Sequence, residues 1–149
     1  TPGLRTFEKW AVRIGGGHNH RFGLYDMIMI KDNHVDFCGG IENAINRVHQ
    51  YLADNELNLR IEVETRNLDE VWQVLKTGRV DRIMLDNYSL EALREAVKVI
   101  DKQFETEASG GVNLNTVKAI AETGVDFISV GELTHSVKSL DLSFKAVVA

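Results

Sequence analysis

Hydrophobic positions along the chain alternate between two periods. Leu4, Phe7, Trp10, Ala11 and Ile14 recur at three- and four-residue spacing, one face of a helix, and Gly15 follows as a stop. Residues 27–30, Met-Ile-Met-Ile, form instead a short continuous apolar run, which predicts a strand buried on both faces. Ile41, Ala44, Ile45, Val48 and Leu52 return to helical spacing, and residues 59–64 read as a second strand. Asn67, with Glu70 three residues on, is a variant capping box that opens a helix through Leu68, Val71, Trp72 and Leu75 to Gly78. A third strand is predicted over 82–85, and Ser89 caps a helix carrying Leu90, Leu93, Val97 and Ile100. Strand-like runs follow at 104–107, 127–130 and 144–148, with a helix over about 115–122 that stops at Gly124.

Strand and helix therefore alternate in units of roughly 20 to 25 residues, the βα grammar of a parallel α/β sheet. A closed (β/α)₈ barrel typically takes about 250 residues. Six predicted strands in 149 residues leave two architectures: an open doubly wound sheet, or part of a larger α/β barrel.

Composition narrows the function classes. The 22 acidic residues outnumber the 17 basic ones, for a net charge of −5, which argues against a nucleic-acid partner and against an anionic membrane surface. No apolar run approaches the roughly 18 residues of a membrane span. The first five residues, Thr-Pro-Gly-Leu-Arg, contain no apolar signal core. A single cysteine, Cys38, excludes an internal disulfide framework and fits a reducing, cytoplasmic setting.

The candidate chemistry lies where strands end. The first strand runs into Lys31, the second carries Glu62 and Glu64, the third ends in Asp86-Asn87, the fourth runs into Ser109-Gly110-Gly111, and the fifth ends at Gly131. In parallel α/β architecture these ends converge. Glu62 and Glu64, two apart, share one face, and spacing alone leaves open which of them acts. The Ser-Gly-Gly turn lies between a strand and a helix start, where free backbone N–H groups suit a phosphate; His135, four residues past Gly131, can face the same place. The segment 15–21 combines three glycines with His18, His20 and Arg21, donors for a carboxylate or phosphate. A zinc site on His18 and His20 lacks a third ligand at a familiar spacing. Carboxylates beside a phosphate cradle suit Mg²⁺, a hard cation that shares substrate phosphates.

These motifs, in order, resemble quinolinate phosphoribosyltransferases: Gly15-Gly16-Gly17, Asn19-His20-Arg21, Ile30-Lys31-Asp32-Asn33-His34, Glu62-Val63-Glu64, Met84-Leu85-Asp86-Asn87, Glu107-Ala108-Ser109-Gly110-Gly111 and Gly131-Glu132-Leu133-Thr134-His135-Ser136. The resemblance spans essentially the whole chain. It implies phosphoribosyl transfer from phosphoribosyl pyrophosphate to quinolinate with decarboxylation, giving nicotinate mononucleotide, pyrophosphate and CO₂; a related type II phosphoribosyltransferase with another base is the alternative. It further implies that His20, Arg21 and Lys31 bind the quinolinate carboxylates. Lys31, Glu64 and Asp86 would be catalytic, with Glu64, rather than Glu62, joining Asp86 on Mg²⁺ and the ribose pyrophosphate. Ser109, Gly110, Gly111 and Gly131, with His135, would hold the 5′-phosphate. In such enzymes residues 1–149 would be the C-terminal part of the barrel, with an N-terminal α/β domain and the first part of the barrel lying upstream. The expected assembly is a homodimer or higher homo-oligomer, and the stretch by itself is expected to be inactive.

Overall fold

The computed structural model describes residues 2–147. Its order is α1 (Arg5–Ile14), β1 (Ile28–Ile30), α2 (Asp32–Cys38), α3 (Ile41–Asp54), β2 (Ile61–Thr65), α4 (Leu68–Thr77), β3 (Arg82–Asp86), α5 (Leu90–Ile100), β4 (Glu105–Ser109), α6 (Val117–Ala121), β5 (Phe127–Ile128) and α7 (Glu132–His135). The five strands are all parallel and lie side by side in chain order. Both predicted side-chain caps form: Asn67 Oδ1 accepts from the Glu70 N–H at 3.0 Å, and Ser89 Oγ from the Ala92 N–H at 3.2 Å. Each satisfies a backbone donor that would otherwise lack a partner, typically worth about 1 kcal/mol.

The side-chain period of two divides the sheet into unlike faces. Ile28, Ile30, Ile61, Val63, Ile83, Leu85, Ala108 and Ile128 point one way and meet the helices in a core with Ile45, Val71, Val74, Ala96 and Ile100. The opposite face carries Met29, Glu62, Glu64, Arg82, Met84, Asp86, Glu105, Glu107, Ser109 and Phe127, aligned by the strand register. Burial on both faces, expected of β1, is only partial there, since Ile28 and Met29 are half-buried. In β2 and β4 the second face carries buried ionic groups instead, with Glu62 and Glu107 0% and 1% exposed.

Two expectations need correction. The residues after β1, read as a strand end, wind at once into α2, started by the His34 Nδ1, which accepts from the Lys31 N–H at 3.0 Å. The predicted sixth strand is absent: residues 144–147 have no regular structure and Phe144 is fully exposed, while Val148 lies outside the described residues. The helix predicted from Leu4 to Ile14 does form, but its apolar stripe is uncovered, with Leu4, Phe7, Trp10 and Ile14 all 45% exposed or more. That helix is tied to the rest by polar bonds, Lys9 Nζ to the Arg21 carbonyl at 2.7 Å and Asn19 Nδ2 to the Lys9 carbonyl at 2.9 Å.

Candidate functional site

The carboxyl ends of all five strands open into one cavity of about 790 Å³, within the range of small-molecule sites. Lys31 enters it just past β1, Glu64 from β2, Asp86 from the last position of β3 and Ser109 from the last position of β4. Gly110, Gly111, Gly131, His135 and His20 complete the set, so nine of the ten residues singled out in the sequence line the same space. Arg21 does not line it. Its Nη1 donates to the Met27 carbonyl at 3.2 Å, which braces the loop leading into β1.

The glycine turn after β4 has a specific geometric reason. Gly110 sits at φ +94°, and a Cβ there would fall 2.1 Å from Asn87 Oδ1 and 3.0 Å from the Asn87 backbone nitrogen. Asn87 itself is at φ 56°, a left-handed conformation that asparagine tolerates. Its N–H donates to the Ser109 carbonyl at 2.8 Å, and its side-chain amide donates to Asp86 Oδ2 at 2.7 Å. Asn87 thus fastens the Asp86 carboxylate to the Ser-Gly-Gly turn. At Gly131 the constraint is contact rather than backbone: a Cβ would lie 2.9 Å from His135 Nε2, and His135 Nδ1 is 2.7 Å from Ser136 Oγ.

Electrostatics set Glu64 apart. Burial, then the neighbouring negative charge of Asp86, pushes its carboxyl above the ordinary glutamate value, while Lys31 and Arg66 pull the other way. The negative charge of Asp86 that raises Glu64 is what a hard divalent cation would relieve, and both side chains offer oxygen donors of the kind Mg²⁺ takes.

A second set of polar contacts joins His20 to Glu62, Glu107 and Arg82, residues of the same sheet face. His20 Nε2 is 2.6 Å from Glu62 Oε2 and 3.5 Å from Glu107 Oε1. Glu107 Oε2 accepts from Arg82 Nη1 at 2.6 Å, and its other oxygen accepts the Ser129 hydroxyl. Arg82 also reaches Glu105 at 2.9 Å and stacks over the Phe127 ring, 4.0 Å from its centroid. Burial and the Glu62 charge push the Glu107 carboxyl upward. The signal for this set was present in the sequence: Glu62, Arg82 and Glu107 share the strand parity of the site residues.

Residues 1–145 match the family described as quinolinate phosphoribosyl transferase, C-terminal domain. The chain belongs to that family. It is 52% identical to the chloroplastic nicotinate-nucleotide pyrophosphorylase [carboxylating] of Arabidopsis thaliana, an alignment covering 97% of this chain and 45% of that one. It is 47% identical to a probable nicotinate-nucleotide pyrophosphorylase [carboxylating] of Bacillus subtilis, covering 100% of this chain and 50% of the relative. The crystal structure of NadC from Streptococcus pyogenes superposes with a TM-score of 0.88 at 43% identity, over 98% of this chain and 50% of that one. The chain thus spans about half the length of the relatives it matches, and its parallel α/β fold is that of the C-terminal half of the solved structures. Among the described residues no helix is long and apolar enough to cross a membrane. Plant relatives carry names placing them in chloroplasts or in mitochondria.

Proposed function

We propose that the protein carrying this chain transfers the phosphoribosyl group of phosphoribosyl pyrophosphate to quinolinate and releases pyrophosphate and CO₂, leaving nicotinate mononucleotide. Family membership supplies the reaction class. The observation that carries the reading for this chain is the single cavity in which Lys31 and His20 meet a carboxylate pair and a glycine turn. In this reading Lys31, His20 and Arg21 draw in the two carboxylates of the base, with Arg21 acting through the loop it braces. The backbone N–H groups of Ser109, Gly110 and Gly111, with Gly131 and His135, take the 5′-phosphate. Glu64 and Asp86 hold the Mg²⁺, which when bound neutralises charge on the departing pyrophosphate.

Lys31 has two tasks here. Its ammonium offsets the dianionic base in the ground state. It also stabilises charge that develops on the ring as CO₂ departs, which lowers a barrier rather than only a KM. The residues belong to the C-terminal part of an α/β barrel whose first part and N-terminal domain lie upstream, and the working form is a homodimer or higher homo-oligomer. Cys38 as the lone thiol suits a reducing compartment, for which the proposal is the cytoplasm; fractionation checks it. The test of the reaction is direct. The native protein, given quinolinate labelled at its 2-carboxylate, phosphoribosyl pyrophosphate and Mg²⁺, should release labelled CO₂ and pyrophosphate in equal amounts. Pyrophosphate release with nicotinate but none with quinolinate would replace this reading with that of a related phosphoribosyltransferase.

A further inference from the structure

We infer that Glu62 is a positioning residue: it fixes the ring of His20 by accepting from Nε2–H, so that Nδ1 is the nitrogen presented to the bound base. The inference rests on the reading above that His20 meets the base. Glu62 is fully buried, and its Oε2 is 2.6 Å from His20 Nε2. Its other oxygen, Oε1, is buried with no hydrogen-bond partner among the described residues. Among the described residues Glu62 therefore has one side-chain hydrogen bond, and it goes to His20. Glu107, the second carboxylate near the ring at 3.5 Å, is already engaged by Arg82 and Ser129.

A metal ion is the rival explanation for the trio His20, Glu62 and Glu107, whose nearest donor atoms lie within 4.8 Å of one another. The geometry disfavours it. Ligand atoms about 2.0–2.1 Å from a tetrahedral ion stand roughly 3.3 Å apart, whereas the His20–Glu62 pair is closed to hydrogen-bond length. The Glu107 oxygen nearest the ring, Oε1, already accepts the Ser129 hydroxyl, and Arg82, a cation, holds its Oε2. A buried carboxylate holding a histidine ring in one orientation is instead the arrangement that orients imidazole ligands and general bases elsewhere.

Kinetics of the full-length native protein test this, with Glu62→Leu, Glu62→Gln, His20→Ala and the double variant Glu62→Leu/His20→Ala. Glu62→Leu should raise the quinolinate KM about tenfold while moving the phosphoribosyl pyrophosphate KM by less than about twofold. Glu62→Gln, whose amide oxygen can still accept from Nε2–H, should recover most of that loss. In the His20→Ala background Glu62→Leu should add nothing, because a residue acting only through His20 has nothing left to act on. A Glu62→Leu penalty that persists without His20, or a Glu62→Leu protein with unchanged quinolinate KM beside a defective His20→Ala, overturns the inference alone. An unchanged quinolinate KM in His20→Ala overturns the base-binding role given to His20 and this inference with it. Nitrogen-15 spectra of the wild-type His20 ring need no variant to fold with Leu at 62: they should show the hydrogen on Nε2, and a bare Nε2 overturns the inference.

Discussion

Gly110→Ala is the sharpest test of how the turn after β4 is built. The substitution meets two independent costs. A non-glycine residue in left-handed backbone costs about 1–2 kcal/mol, and φ at Gly110 is +94°. Forcing a methyl group into filled space costs about 1–3 kcal/mol more. Part of that is unavoidable, because the new Cβ stands 3.0 Å from the Asn87 backbone nitrogen as well as 2.1 Å from its side chain. The sum is about 2–5 kcal/mol, a large share of the 5–15 kcal/mol typical of a folded domain. Gly111 supplies the control, since its φ is +60° and a Cβ there would meet nothing within 4 Å. Gly111→Ala should cost only the backbone term, about 1–2 kcal/mol. Urea denaturation of the two variants should therefore separate their midpoints by about 1 M, given slopes of about 1–3 kcal/mol per molar. Equal midpoints would refute the argument that contact with Asn87, and not φ alone, demands glycine at 110. The displaced Asn87 would also release the Asp86 carboxylate it holds, so Gly110→Ala should weaken Mg²⁺-dependent use of phosphoribosyl pyrophosphate beyond Gly111→Ala.

Arg82→Ala should destabilise the protein by about 3–5 kcal/mol, since it strands the buried Glu107 without its 2.6 Å partner; a thermal melt within a degree or two of wild type would exclude this. Glu64→Gln should move stability and activity in opposite directions. Because the folded carboxyl is held above its ordinary value of 4.5, it favours the folded state below that value, and that contribution is lost as pH rises through the raised value. Removing the charge should thus raise the melting temperature near neutral pH while Mg²⁺-dependent turnover falls, and Asp86→Asn should share the loss of turnover. Asp126 runs the other way. Burial raises its carboxyl, but hydrogen bonds from Lys102 and from Thr106 together hold it below the ordinary 3.8, so its contribution is present above that pH and is lost as pH falls through the lowered value. Asp126→Asn should flatten the acid limb of the stability curve, and an unchanged limb counts against it. Lys31→Ala should lower kcat as well as raise the quinolinate KM, with Lys31→Arg a partial rescue, since a planar fork does not replace a compact ammonium; a folded variant with normal kinetics would reduce Lys31 to a solvated strand end.

The order of strands and the two capped helices were legible because each rests on local pattern, such as Asn67 with Glu70 or Ser89 before an apolar run. The gathering of Lys31, Glu64, Asp86 and the Ser-Gly-Gly turn was legible from one topological rule, that parallel strands share an exit side. What escaped depends on partners distant in sequence. Residues 144–147 have the apolar content of a strand, but no neighbouring strand reaches them. The helix α2 was hidden because its cap comes from His34 folding back on Lys31, not from a standard Ser, Thr or Asp. Arg21 is a ligand donor by type, and its hydrogen bond to the Met27 carbonyl is visible only in the fold. The pairing of Glu62 with His20 joins residues 42 apart, which no periodicity reports.

The unbroken strand order has a consequence for how the chain is made. Every strand pairs only with the strand before and after it, and each pairing closes a separation of 20 to 33 residues. Loop-closure entropy grows only slowly over such a range, so no single step dominates the search. During synthesis, at about 5–20 residues per second, each βα unit emerges with its one partner already in place and caps the open edge left by the unit before it. From β1 to β5 the sheet can therefore grow strand by strand, whereas a long flexible insertion between β2 and β3 would lengthen that one closure and slow it.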